Sequence, residues 1–308
     1  LAVAALRFDS SEVRTAAVAI AGAPDSFRAG SELGARLRRP DLRGVFVLSD
    51  GLGVNGSELV RGINSALDAS VVVTGGLAGD GDRFARTWVL DERGPRSGYV
   101  TAVGLHGPRV KIGHGSKGGW DKFGPARRVT RAEHNVLYEL DGRPALRLYK
   151  EYLGERAAEL PASALLFPLA VSDSHGDSKV LVRTVLAVSE QDQSMTFAGD
   201  VPAGSVAQLM RANFERLIDG AASAARGAGS SLVDLMGTNE ILSIAISCVG
   251  RRLILGERTE EEIEAALHGL PEGTRQIGFY SYGEISPFAS GACDLHNQTM
   301  TLTTISEA

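Results

Sequence analysis

The sequence predicts an α/β fold of two lobes with mixed β-sheets. Three observations carry this: a length of 308 residues, a strand–loop–helix–strand–Gly-rich-loop unit that occurs twice, and β-rich segments between and after the two units. One hydrophobic core rarely grows to this length, so two lobes are the natural division. Composition agrees, since 44% apolar and 22% charged residues are ordinary for a globular chain with a sizeable core.

The first unit begins at Val45-Phe46-Val47-Leu48, a branched and aromatic run that stops at the turn formers Ser49-Asp50-Gly51. A helix is expected over 57–67, with Ser57 as N-cap and Leu59, Val60, Ile63 and Leu67 at helical spacing. Val71-Val72-Val73 is the next strand and runs into the loop Thr74-Gly75-Gly76-Leu77-Ala78-Gly79-Asp80. Strand, helix and strand in this order make a βαβ unit with parallel strands. Segments 98–105 and 109–112 read as an antiparallel pair about His106-Gly107-Pro108, and 113–119 as a Gly-rich turn. That turn meets neither P-loop nor dinucleotide spacing.

The charged stretch 154–161 ends in proline and marks the lobe boundary, giving lobes 1–153 and 161–308. Beyond it, 179–188 and 194–198 read as a second strand pair. A long helix is expected over 205–225, with Val206, Leu209, Met210, Phe214, Leu217 and Ile218 in its apolar stripe. The second unit is a strand over 241–246, a helix over 260–267 and a strand over 276–280, repeating the first in plan rather than identity. Thr-rich β character over 297–305 closes the chain.

A net charge of -5 and 6% aromatic residues without basic-aromatic interleaving disfavour a nucleic-acid partner. No run of about eighteen apolar residues predicts a membrane-spanning helix. Only Cys248 and Cys293 are present, which fits a reducing cytoplasm and no disulfide framework. The chain opens at Leu1 without methionine; a trimmed N-terminus is expected, and a leader peptide is left undecided.

Several motifs point to one family by their order and spacing. In the first lobe they are Ser49-Asp50-Gly51-Leu52, Gly75-Gly76-Leu77-Ala78-Gly79-Asp80, His114-Gly115 with Trp120, and Leu140-Asp141-Gly142 before Tyr149. In the second they are Phe167-Pro168-Leu169, Gly199-Asp200-Val201-Pro202, Ser247-Cys248 with Gly250-Arg251, and Gly278-Phe279-Tyr280-Ser281-Tyr282-Gly283-Glu284-Ile285 with Leu295-His296-Asn297. Together these resemble the bacterial FIST sensory module, an N-terminal plus a C-terminal FIST domain. Members of that family carry a further segment before the part seen here. The resemblance implies a ligand-binding sensor of amino acids or related metabolites, not an enzyme. Histidine kinases, diguanylate cyclases and chemotaxis receptors are the implied output partners. For a subset of the family it implies haem and nitric oxide sensing.

Ligands of open α/β sheets bind beyond the carboxyl ends of the strands. Ser49, Asp50, Gly75, Gly76 and Asp80 fall there in lobe one, and Ser247, Cys248, Arg251, Tyr280, Tyr282 and Glu284 in lobe two. Acids for an ammonium and Arg251 for a carboxylate suit a zwitterion such as an amino acid. Six histidines are present: His106, His114, His134, His175, His268 and His296. None has zinc-ligand spacing, and no metal or cofactor is expected. If haem is bound, His114 and His296, which fall in family motifs, are the axial candidates. A hydrolase or transferase would use Cys248 as nucleophile beside His296 or Glu284. A thiol that ends an apolar strand is more often an inert core residue.

Overall fold

A computed structural model describes residues 3–172, 180–230, 240–288 and 292–308. His175, and Lys179 at the head of one expected strand, lie outside them. The first third contains β1 (Glu12–Ala19), α1 (Ser26–Leu37), β2 (Leu42–Ser49), α2 (Gly56–Ala66), β3 (Val72–Ala78), β4 (Val89–Asp91), β5 (Gly94–Arg96), β6 (Tyr99–His106) and β7 (Val110–Lys117). The middle contains β8 (Trp120–Lys122), β9 (Arg127–Glu133), β10 (Val136–Leu140), β11 (Arg143–Pro144), α3 (Ala145–Leu153), β12 (Leu169–Ser172), β13 (Val180–Arg183), β14 (Val185–Ser189), β15 (Ser194–Phe197) and β16 (Val206–Ala212). The last third contains α4 (Phe214–Ser230), β17 (Leu242–Cys248), α5 (Val249–Leu255), α6 (Thr259–His268), β18 (Arg275–Pro287), β19 (Cys293–His296) and β20 (Met300–Glu307).

Both expected βαβ units are present. β2 and β3 pair in parallel, as do β17 and β18, and the two units join antiparallel through β3 and β18. The result is a central sheet in the order β1-β6-β2-β3-β18-β17-β20-β7, with β19 on β18. Gly75 and Gly76, expected in a loop, sit inside β3. There β3 and β2 approach so closely that a Cβ at Gly75 would lie 1.9 Å from the Val47 carbonyl oxygen. A second nine-stranded sheet runs β13-β12-β16-β9-β10-β15-β14 and also holds β8 and β11. The central sheet is therefore woven from residues 12–117 and 242–307, and the second from 120–212. The 154–161 stretch forms 3-10 turns between α3 and β12.

Helices cover the outer face of the central sheet. Leu33 and Leu37 of α1 and Leu59 and Ile63 of α2 bury against Val45, Val47, Val100 and Ala102. Alternation along the strands turns Phe46, Leu48, Thr74, Thr101, Val103, His114, Ser116, Thr301 and Thr303 to the inner face. The sheet curls so that parts of β6, β7, β17 and β20 come together on that face. Leu105, Val110 and Ile305 pack together with Val103, Ile112 and Ile244. The second sheet has its own core, with Leu137, Leu146, Tyr149, Met195, Phe197 and Leu209 beneath α3.

Four local expectations change. Residues 206–212 are a strand, and the helix starts only at Phe214, after Asn213 accepts a hydrogen bond from Arg216 N at 3.3 Å. Val206, Leu209 and Met210 have helical spacing, but as a strand they are divided between two faces, Leu209 in the core of the second sheet and Met210 beside Trp120, and pairing with β12 and β9 decides for the strand. Strands β6 and β7 do not pair with each other; β6 lies between β1 and β2, and β7 lies on β20. The 113–119 turn is largely β7, where Gly115 lets α4 settle on the strand: a Cβ there would meet the Ala224 carbonyl at 2.0 Å. Asn55, not Ser57, caps α2, accepting from Glu58 N at 3.2 Å.

One buried ion pair ties the C-terminal half together. Arg251 is fully buried. It donates Nε to Glu262 Oε1 at 2.7 Å, Nη2 to the Leu217 carbonyl at 2.8 Å and Nη1 to the Gly118 carbonyl at 3.0 Å. Ser247 Oγ donates to Glu262 Oε2 at 3.0 Å. Removing one member of a buried pair strands the other charge, at a cost of roughly 3–5 kcal/mol. Arg251→Ala is expected to lose stability on that scale in urea unfolding. Arg251→Lys is expected to recover little, because an ammonium cannot reach carboxylate and two carbonyls at once.

Candidate functional site

At the end of β2 the chain turns sharply, and Asp50 holds the turn. Its carboxylate accepts from Leu52 N at 2.9 Å, Gly98 N at 2.5 Å and the Thr87 hydroxyl. Thr87 Oγ1 in turn accepts from Gly51 N at 3.0 Å. Ser49 is buried beside it, and its hydroxyl has no partner among the described residues. Asp80, after β3, accepts from Ala85 N and Arg86 N, both at 3.0 Å, and from the Tyr282 hydroxyl. Burial pulls its carboxyl up, but the Arg86 N–H, Tyr282 and the Ala85 N–H together hold it below the usual carboxylate range. The Tyr282 hydroxyl, whose single proton is shared between Asp80 and the Gly81 carbonyl at 2.7 Å, belongs to a ring that stacks on Phe84, with centroids 4.8 Å apart.

Glu284 lies buried on β18, opposite Gly76. It accepts from Ser281 Oγ at 2.5 Å and from Thr299 Oγ1 at 2.9 Å. Thr299 contacts Thr301 Oγ1 at 3.3 Å, which meets Ser116 Oγ at 2.9 Å, so a hydroxyl chain crosses from β18 to β7. Burial pushes the Glu284 carboxyl up to about 8, against its hydrogen bonds and the Arg251 charge. Cys248 is buried nearby; burial first, and the Glu284 charge second, keep its thiol protonated. His296 Nε2 is 2.9 Å from the Ser286 carbonyl. Tyr280, half-buried, lies under the Arg252 guanidinium at 5.1 Å. His114 stands apart on β7, opposite Thr303, its pKa lowered by burial.

Ser49, Asp50, Asp80, Ser247, Cys248 and His296 thus fall at strand ends, whereas Gly75, Gly76, Tyr280, Tyr282 and Glu284 lie inside β3 and β18, Arg251 on α5 and His114 apart on β7; they do not surround an open cleft. Loops of the second sheet close over them. Asn55 Nδ2 donates to Asp200 Oδ1 at 2.8 Å, and Asp200 N to Ser57 Oγ at 3.0 Å. Arg183 Nη1 donates to the Leu295 carbonyl at 3.1 Å, and Gln298 Nε2 to that of Leu165 at 3.0 Å. Arg251, the expected carboxylate fork, is committed to protein partners.

Three hollows lie instead around residues 79–98. The largest, about 770 Å³, has Phe46, Leu48 and Val103 on its floor and Leu90 of the β4–β5 hairpin across from them. A second of about 350 Å³ includes Asp50, Gly53, Thr87 and Gly98, and a third of about 390 Å³ includes Asp80, Arg83 and Trp88. Of the expected site residues, only Asp50 and Asp80 line any of them. The hairpin went unread because β4 and β5 are three residues each. Its available signal was two bulky apolar residues in a charged stretch: Trp88 is 53% exposed and Leu90 68%.

The arrangement makes stability depend on pH. A carboxyl whose folded pKa lies above its unfolded value contributes fully at low pH, and that contribution fades as pH rises from about 4.5 to 8. The melting temperature is expected to fall over that window in the native chain, and Glu284→Gln to flatten this part of the profile.

Residues 1–143 match the FIST N domain and residues 145–287 the FIST C domain. An uncharacterized protein of Methanocaldococcus jannaschii is 24% identical over 249 residues, 70% of this chain and 45% of the relative. The chain thus spans less than half of that relative's length. Among solved structures, cyanuric acid hydrolase from A. caulinodans aligns with 96% of this chain and 99% of its own, at 10% identity and a TM-score of 0.22. A score that low bears on neither fold nor activity. Two consecutive domain matches that together cover most of the sequence place the chain in the FIST family, whose domains are sensory domains of signalling proteins.

Proposed function

We propose that this chain is a sensory module that takes a small zwitterionic metabolite, such as an amino acid, in the 770 Å³ groove beneath the β4–β5 hairpin. The observation that carries the reading is the groove's chemistry: an apolar floor inside a rim of both charge signs. Its size lies in the range of small-molecule sites. Arg96 stacks on Tyr99, its guanidinium 3.6 Å from the ring centroid, and pairs with Asp91 through Nη2. Its buried Nε has no partner among the described residues, a spare donor for a carboxylate. Glu92 on the rim suits an ammonium, while Glu32 is held by Arg28 and Arg36.

Thr15 Oγ1 touches Glu92 Oε1 at 3.4 Å, so the hairpin tip already reaches β1 across the groove. A ligand bridging floor and hairpin would favour the closed arrangement, and differential affinity for that arrangement is all that signalling requires. The output partner on this reading is a histidine kinase, diguanylate cyclase or chemotaxis receptor, and the setting is cytoplasmic. Binding without turnover is supported by the state of Cys248, whose buried protonated thiol is a poor nucleophile.

The test is a titration with each of the twenty amino acids, read by Trp88 emission and by melting temperature. At least one is expected to raise the melting temperature, with affinity falling about tenfold, or 1.4 kcal/mol, in Arg96→Ala or Leu90→Asp. No response to any amino acid, or equal binding in both variants, would overturn the reading. A Soret band in the purified protein that His114→Ala or His296→Ala abolishes would replace it with haem-based sensing.

A further inference from the structure

Away from the groove, three side chains from distant parts of the sequence converge at the contact between the two sheets. Glu58 lies in the first turn of α2, His134 in the turn between β9 and β10, and Asp200 after β15. One ligand atom from each lies within 4.8 Å of the others. We infer that these residues form a divalent-cation site of one imidazole and two carboxylates, suited to Zn²⁺ with water completing the shell.

The unused atoms carry the argument. Glu58 Oε2 is held by Arg61 Nη2 at 2.6 Å, whereas Oε1 is buried with no hydrogen-bond partner among the described residues. Asp200 is divided likewise: Oδ1 accepts from Asn55 Nδ2 at 2.8 Å, its N–H is held by Ser57 Oγ, and Oδ2 has no hydrogen bond among the described residues. The His134 carbonyl accepts from Val201 N at 3.0 Å, which fixes the turn beside Asp200, and the ring makes no hydrogen bond among the described residues. Each carboxylate is thus oriented by one side-chain contact and left with one unpartnered oxygen, as outer partners orient metal ligands, whereas the His134 ring stands without an outer partner among the described residues. Three atoms up to 4.8 Å apart surround a point about 2.8 Å from each. Loading would draw them in by roughly 0.7 Å to reach zinc–ligand distances. The exposed His134 side chain, on a turn whose backbone is fixed, makes that move by rotation about its own bonds. Arg61, and Arg183 on the Asp200 carbonyl at 2.9 Å, offset part of the negative charge, so the ion is held by its ligands rather than by a field.

A bound ion would tie α2 of the central sheet to the second sheet. The test uses chelator-washed protein without a histidine tag, titrated with Zn²⁺ by calorimetry and melted with and without the metal. One ion per chain is expected, with a rise in melting temperature that EDTA reverses. His134→Gly should weaken binding at least tenfold yet fold normally, because His134 has φ 51°, a left-handed conformation that glycine adopts freely. Asp200→Asn keeps the acceptor for Asn55 and should weaken binding similarly, whereas His268→Ala should leave it unchanged. Failure of the native chain to bind Zn²⁺, or equal binding by His134→Gly, would overturn the site. Neither outcome bears on the groove, which shares no residue with it.

Discussion

The C-terminal half of this protein is organised around a charge that cannot reach water. The Arg251 guanidinium spreads its donors over α6, the start of α4 and the β7–β8 connection. Its desolvation is tolerable only because those acceptors are fixed where they are. This sets the position of α5, and with it the end of β17, Cys248 and the closed surface over the strand ends. An Arg that looked like a ligand fork in sequence is a tie between elements, and the ligand-sized space had to arise elsewhere.

Polar chemistry inside the central sheet follows the same logic. Asp50 and Asp80 spend their oxygens on backbone N–H groups of the turns they terminate, and Glu284 spends its own on hydroxyls of β18 and residue 299. Buried carboxyls persist where their hydrogen bonds are met locally. These residues shape loops, and the loops of 79–98 shape the hollows. The motifs that mark the family and the groove proposed to hold a ligand are linked through backbone geometry rather than shared contact.

Much of the fold was legible. Val45-Phe46-Val47-Leu48 and Val71-Val72-Val73 have strand composition, and the residues between them have helical spacing, so the parallel pair and its counterpart near 241–280 could be read. Strand β16 could not, because Val206, Leu209 and Met210 have helical spacing, and a strand buried on both faces carries no period of its own until β12 and β9 are beside it. Strand β1, EVRTAAVA, has no branched apolar run, and its place beside β6 is a long-range fact. The groove depends on β1 and on the short β4–β5 hairpin, so it was illegible for the same reason. Glu58, His134 and Asp200 are separated by 76 and 66 residues, and no spacing rule joins them. The turns at Ser49-Asp50 and Ser247-Cys248 were legible as strand ends, but the second sheet's cover over them has no local signature.

The weave of the central sheet bears on how this protein can be divided. Sequence similarity changes from one family domain to the other between residues 143 and 145, yet β3, encoded before that point, has β18, encoded after it, as its hydrogen-bonded neighbour. A chain severed there would leave β3 with a bare edge in the middle of what had been a continuous sheet, and β7 without β20. Such edges recruit other strands. The two named domains therefore share one continuous hydrogen-bonded sheet, and the boundary drawn in the sequence is not a seam in the structure.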